Sequence, residues 1–242
     1  MKRAMKIPRV VALLLFFCFR ASAGTGCDTA ADLSTHIAQF DAQQVSPIEA
    51  LLRLGEKLNL CFGIEYVDQA LLTNAADFHL RDTTIKGAIE AIMRSAPPLT
   101  IEQHYGVIEI LAKTRNSKSR DIFDFVIHRW EASRAPIQLV STTLYWELRS
   151  ELNPQITGFA GRSAGGDVSD EVGPFSESNK PVRSLLDKIV AQSRGAAWIA
   201  QVPRERVGDT SLVEERRVWT IVEYDGPKAD YSGLLRGVAA QL

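Results

Sequence analysis

The sequence predicts an α+β protein of two tandem βαββαβ-type modules, each a mixed sheet with its helices packed on one face. Three observations predict it. Short apolar runs of strand length alternate with longer stretches whose apolar residues recur at helical spacing. The first of these stretches opens on a strong helix-start signal, Ser46-Pro47-Ile48-Glu49. Finally, one layout occurs twice. Phe78 to Ile85 runs into a helix at Lys86 to Met93, and Phe175 to Val182 runs into a helix at Arg183 to Val190. When the copies are superposed, Ile85 meets Val182, Lys86 meets Arg183, Ile89 meets Leu186, Glu90 meets Asp187 and Ile92 meets Ile189.

The first module spans 34–112. Thr35 to Ala42 reads as a strand. Ser46 then caps a helix, Pro47 sits where its missing N–H costs nothing, and Glu49 completes a capping box. Ile48, Leu51, Leu52 and Leu58 share one face of that helix. Leu60 to Val67 is apolar and aromatic enough for a strand, and a polar connection leads to another at Asp77 to Arg81. The next helix lines up Ile85, Ala88, Ile89, Ile92 and Met93, and Pro97-Pro98 stops it. Leu99 to Leu111 reads as a hairpin around Tyr105-Gly106. The basic stretch 113–120 reads as a linker.

The second module spans 121–225. Phe123 to Trp130 reads as a strand. Pro136 opens a helix carrying Ile137, Val140, Leu144, Leu148 and Leu152 on one side, and Asn153-Pro154 ends it. Gln155 to Phe159 is a short strand, and Gly161 to Gly173 is a Gly- and Ser-rich loop. The repeated unit follows, with Val182, Leu185, Leu186, Ile189 and Val190 as its helical stripe. Ala196 to Val202 and Arg217 to Tyr224 are closing strands, and the tail 226–242 holds a short final helix.

The start of the chain reads as an export signal: basic Lys2, Arg3, Lys6 and Arg9, an apolar run from Val10 to Phe19, then small residues Ala21-Ser22-Ala23. The run is too short for a spanning helix, which takes about 20 apolar residues. Cleavage is expected between Ala23 and Gly24, making 1–23 a signal peptide and placing the protein in the periplasm or outside the cell. Contact with a membrane is then expected only through an uncleaved signal. Of the 242 residues 45% are hydrophobic and the net charge is −1, so the chain can bury a core and lacks the basic footprint of a nucleic-acid binder. Past the signal only Cys27 and Cys61 remain. In an oxidising compartment an even pair invites a disulfide; a buried strand cysteine beside a tail cysteine is the alternative.

The stretch 37–111 resembles the secretin and TonB short N-terminal domain. Phe40-Asp41-Ala42-Gln43-Gln44-Val45-Ser46-Pro47-Ile48-Glu49-Ala50-Leu51 looks like that family's opening strand, polar turn and helix. Leu54 to Leu60 looks like its helix exit, Leu80 to Ile89 like its second strand-to-helix step, and Leu99-Thr100-Ile101 with Val107 to Ile110 like its last strands. The second module joins this resemblance only through its likeness to the first. The resemblance implies a periplasmic domain that binds other proteins and carries no catalytic residues.

The chemical motifs are few. Gly161-Arg162-Ser163-Ala164-Gly165 fits the nucleophile elbow of a serine hydrolase. Gly165-Gly166-Asp167 is a poor start for the helix that elbow needs, and no histidine follows Ser163. His36, His79, His104 and His128 have no metal-ligand spacing, although His79 and His104 can meet across neighbouring strands. Asp167, Asp170 and Glu171 lack the spacing of a calcium loop. Trp130, Trp146, Trp198 and Trp219 lie in apolar elements and read as core.

The expectation is an exported, non-catalytic protein-binding protein with no cofactor or metal, an accessory or sensing part of a bacterial envelope complex whose partner is another envelope protein. Exposed strand edges are the expected contact: Thr35, Ile37, Gln39 and Asp41 on the first strand, and Val218, Thr220 and Val222 on the last. A small-ligand or glycan binder using the cleft between modules is the alternative, with Trp146 or Trp198 exposed there; a hydrolase using Ser163 is the second.

Overall fold

The computed structural model describes residues 27, 32–66, 69–96, 99–112, 122–152, 170–201, 219–224 and 230–241. The first half runs β1 (His36–Val45), α1 (Pro47–Leu58), β2 (Cys61–Tyr66), α2 (Ala70–Thr73), β3 (Ala76–Thr84), α3 (Ile85–Ile92), β4 (Leu99–His104) and β5 (Val107–Ala112). The second runs β6 (Val126–Ala132), β7 (Ala135–Pro136), α4 (Ile137–Leu152), β8 (Glu171–Val172), β9 (Phe175–Pro181), α5 (Val182–Ala191), β10 (Ala196–Gln201), β11 (Trp219–Glu223) and α6 (Tyr231–Gln241). The fold is α+β, with a mixed sheet and packed helices.

Local chemistry explains the helix ends. Ser46 Oγ accepts from Glu49 N at 3.2 Å, and Asn59 closes α1 in the left-handed region with φ 53°. The Glu49 carboxylate does not complete a capping box. It turns instead to Arg53, at 2.7 Å, and to the Ser232 hydroxyl, at 2.6 Å. Thr84 Oγ1 caps α3 by accepting from Gly87 N. Tyr105 and Gly106, both with positive φ, make the tight turn between β4 and β5.

The repeat is visible in the backbone. Both strand-to-helix steps pass through a left-handed residue three positions before the helix, Asp82 in one copy and Asn179 in the other. Each helix is tied back in the same way. Ile85 N donates to Thr35 O at 2.9 Å, and Val182 N donates to Phe125 O at 3.0 Å.

The halves are not separate sheets. β2 pairs in parallel with both β5 and β10, giving one five-stranded sheet in the order β11-β10-β2-β5-β4. Nor do the helices keep to one face. Phe62, Ile64, Ile108, Ile110, Ala197 and Ile199 face a core shared with α1, α3 and α6. Cys61, Val107, Ala196, Trp198, Ala200 and Ile221 face a second core shared with α4 and α5. Strands that are apolar on both sides need cover on both sides; α1 and α3 with α6 from the second half cover one face, and α4 and α5 cover the other. Two ribbons flank these cores, β1 with β3 and β6 with β9, each antiparallel.

Other differences are local. Phe123 lies in a 3-10 turn (Ile122–Asp124), buried against Trp198 and Trp219, so β6 starts later than the apolar run suggests. The connection after β2 forms α2, which buries Leu71 and Leu72. The linker 113–120, the strand expected at Gln155 to Phe159, and Ser163 with its glycines lie outside the described residues, as does the signal segment. Cys27 and Cys61 are joined as a disulfide with Cα atoms 5.5 Å apart. Among the described residues no helix is long and apolar enough to cross a membrane.

Candidate functional site

Ionisable side chains cluster inside the second core, where α5 crosses the sheet. The strand register sets them up. Trp198 on β10 pairs with Gly63 on β2, Gly63 with Glu109 on β5, and Glu109 with Glu102 on β4. These positions form one row across the sheet. Gly63 leaves the row open, since a Cβ there would run into the indole of Trp198. The freed indole Nε1 donates to Asp187 Oδ1 of α5 at 2.8 Å.

Arg183, one turn before Asp187, reaches back over β2. Its Nη2 donates to Glu65 Oε1 at 2.6 Å and its Nε does so at 3.2 Å, while Nη1 pairs with Asp124. Its Nε also lies 3.8 Å from Glu109 Oε1. Glu65, Glu109 and Asp187 are all buried, at 0%, 1% and 1% exposure, and Arg183 reaches the first two. Burying a carboxylate is costly, and such a group can shed its charge by holding a proton. Burial, then the negative charge of Glu109, pushes Asp187 up to about 9 against the opposing indole bond. Glu109 Oε1 has no hydrogen-bond donor of its own, and a proton held on Asp187 supplies one. Burial works to lower Arg183, but its ion pairs with Glu65 and Asp124 outweigh it and hold the guanidinium above its ordinary value.

In the first copy of the repeat the matched residues, Lys86 and Glu90, are exposed. The same charged pair is therefore a solvated face in one copy and the centre of a buried cluster in the other. Periodicity gives no hint of this, because the burial comes from the neighbouring sheet. One sequence signal did exist: Glu65 and Glu109 stand inside otherwise apolar strands.

The cluster opens to solvent at the β4–β5 hairpin. His104 Nε2 lies 3.3 Å from Glu102 Oε2 and 3.5 Å from Glu109 Oε2. Among the described residues these three form a group whose candidate ligand atoms all lie within 4.8 Å of one another. His79 is elsewhere, on β3, where its Nδ1 lies 2.9 Å from Asp41 Oδ1. The meeting of His79 with His104 does not occur, because β3 pairs with β1 and β4 pairs with β5. Asp170 and Glu171 serve local ties, to Arg194 N at 2.6 Å and to Arg134 Nε at 3.2 Å. Asp167 is outside the described residues.

Trp198, expected on a cleft under the ligand-binding alternative, is instead buried. Trp130, Trp198 and Trp219 are buried in the second core, and Trp146 is half-buried with Arg149 over its ring at 5.1 Å.

The strand edges are distributed differently from the expectation. Thr35 precedes β1, Ile37 and Val222 are buried, and Val218 is outside the described residues. Gln39 and Asp41 are exposed on β1, and Thr220 is half-buried on β11. Three strands carry side-chain caps on backbone groups. Lys57 Nζ donates to Gln39 O of β1 at 2.7 Å, Gln138 Nε2 donates to Ile221 O of β11 at 2.7 Å, and Glu151 Oε1 accepts from His128 N of β6 at 2.7 Å. Such caps occupy groups that an added strand would need. β3 and β9 each have a strand on one side only among the described residues. Asp41 binds the β1–β3 ribbon together from the side. Hydrogen bonds from Arg81, Gln39 and His79 hold its carboxyl well below the usual range.

Comparison with protein-family models, with curated proteins and with solved structures finds no match to this chain.

Proposed function

We propose that this chain is a non-catalytic protein-binding component of a bacterial envelope complex, exported to the periplasm, and that it receives an extended segment of a partner on the outer edge of a ribbon. The observation that carries the reading is the pair of ribbons β1–β3 and β6–β9, in each of which one strand, β3 or β9, has no strand on its outer side among the described residues. An added strand gains backbone hydrogen bonds there at little cost in rearrangement. The export pattern at the start of the chain and the resemblance of 37–111 to the secretin and TonB short N-terminal domain support the compartment and the kind of partner.

The experiment is site-specific photocrosslinking in intact cells. A photoreactive residue replaces His79 or Arg81 on β3, or Ser176 or Ser178 on β9, all of them exposed. Exposed Lys86 and Glu90 on α3 serve as controls. Adducts with one envelope protein from a ribbon edge, and none from α3, are expected. Adducts from neither edge would reject strand addition.

A further inference from the structure

We propose that Glu102, His104 and Glu109 form a binding site for one divalent transition-metal ion of the zinc class, at the mouth of the buried charge cluster. Geometry is the first support. Ligands at about 2.0 Å from a tetrahedral zinc stand about 3.3 Å from one another. His104 Nε2 lies 3.3 Å from Glu102 Oε2 and 3.5 Å from Glu109 Oε2. Two of the three ligand spacings thus match a tetrahedral edge, and the third is within 4.8 Å. Neighbouring strands fix this arrangement: Glu102 and His104 alternate onto one face of β4, and Glu109 is the cross-strand partner of Glu102.

The second support is independent of those distances. Glu109 is 1% exposed and its Oε1 has no hydrogen-bond partner. A buried carboxylate is expensive, and the described cation beside it, Arg183, is 3.8 Å away and already paired with Glu65 and Asp124. A bound cation supplies positive charge on the Oε2 side, where the carboxylate meets His104. Arg183 lies 3.8 Å from Oε1, so it would hold the carboxylate in orientation as an outer-shell partner while Oε2 serves as the ligand atom. Imidazole with two carboxylates favours a zinc-class ion over magnesium or calcium, which prefer all-oxygen sites. Glu102 and His104 are exposed, so the fourth position faces solvent and the ion can exchange.

The test is titration of the purified chain with Co²⁺, read by its visible absorption, followed by displacement with Zn²⁺. The Cys27–Cys61 disulfide is kept oxidised so that no thiol competes. One ion per chain with a four-coordinate spectrum is expected. His104→Ala and Glu102→Gln, both at exposed positions, should each weaken binding by about tenfold or more. His79→Ala should leave it unchanged. An absent Co²⁺ spectrum, or affinity that neither His104→Ala nor Glu102→Gln lowers, overturns the site.

Discussion

The indole N–H of Trp198 donates to the carboxylate of Asp187 across 2.8 Å inside the protein. The two residues come from consecutive elements, α5 and β10, so the bond is local in sequence. What makes it possible is distant. Gly63 vacates the space for the indole, and Glu109 brings the second carboxylate to Asp187. The bond therefore reports the joining of the two halves through β2.

Asp187 gives stability a definite pH dependence. Burial and Glu109 push it up to about 9 from 3.8. Between those values the folded chain keeps a proton that the unfolded chain has lost. Stability from this group is full below the unfolded pKa and falls as pH rises through the folded one. The steepest slope for one proton is about 1.4 kcal/mol per pH unit. Asp187→Asn retains the shape of the protonated acid, with a donor for Glu109 and an acceptor for the indole. Urea unfolding of both proteins between about pH 5 and pH 9 should show the variant gaining on the parent as pH rises. A difference that stays flat contradicts the assignment.

Gly63→Ala tests the packing beneath that bond. The added methyl runs into the Trp198 ring, which is itself fully buried. Overpacking of a tight core costs about 1–3 kcal/mol, and loss of the indole bond adds about 1 kcal/mol. Chemical denaturation should show a lower midpoint with an unchanged slope, and tryptophan fluorescence should shift as the indole moves. Stability equal to the parent means the ring is not held where the structure places it.

The Cys27–Cys61 disulfide closes a separation of 34 residues. In the chain-entropy account a loop of that size stabilises by about 3–4 kcal/mol. Paired Cys27→Ser and Cys61→Ser substitutions should lower the unfolding free energy by that amount, and a reductant should do so in the parent alone. The Cys61 substitution also puts a hydroxyl into the second core, where it is fully buried. Cys27→Ala alone, kept reduced, separates that cost from the lost bridge.

Much of the fold was legible in the residues. The Ser46-Pro47 start, the Tyr105-Gly106 turn and the stripes of α1, α3, α4 and α5 all form where the pattern puts them. The matching of Ile85 with Val182 survives down to the left-handed residue before each helix. The joining of the halves was not legible, because pairing between β2 and β10 spans most of the chain and leaves no local trace. Ala196-Ala197-Trp198-Ile199-Ala200 was the one clue: an unbroken apolar run fits a strand covered on both faces. In β2 the same signal was masked by Gly63 and Glu65, the residues that shape the buried cluster. Glu102 and His104 alternate on one strand face, but their third neighbour, Glu109, is set by hairpin register.

The repeat itself supplies the sharpest comparison. Arg183 and Lys86 occupy matched positions, yet Arg183 pairs with the fully buried Glu65 at 2.6 Å while Lys86 is exposed. Removing one partner of a buried ion pair strands the other charge, a loss of about 3–5 kcal/mol. An exposed charge removed from a helix surface changes stability by about 0.5 kcal/mol or less. Arg183→Met should therefore destabilise the chain severely, and Lys86→Met hardly at all. Replacing the pair together, with Arg183→Met and Glu65→Gln, should recover part of the loss, because the Glu65 charge goes with its guanidinium while buried Glu109 still loses its neighbour. Unfolding free energies of the parent, Arg183→Met, Glu65→Gln and the double variant form a cycle that reads the coupling directly. Equal costs at the two matched positions would mean that Glu65 is not buried against α5 in solution, and that the two halves do not share the sheet.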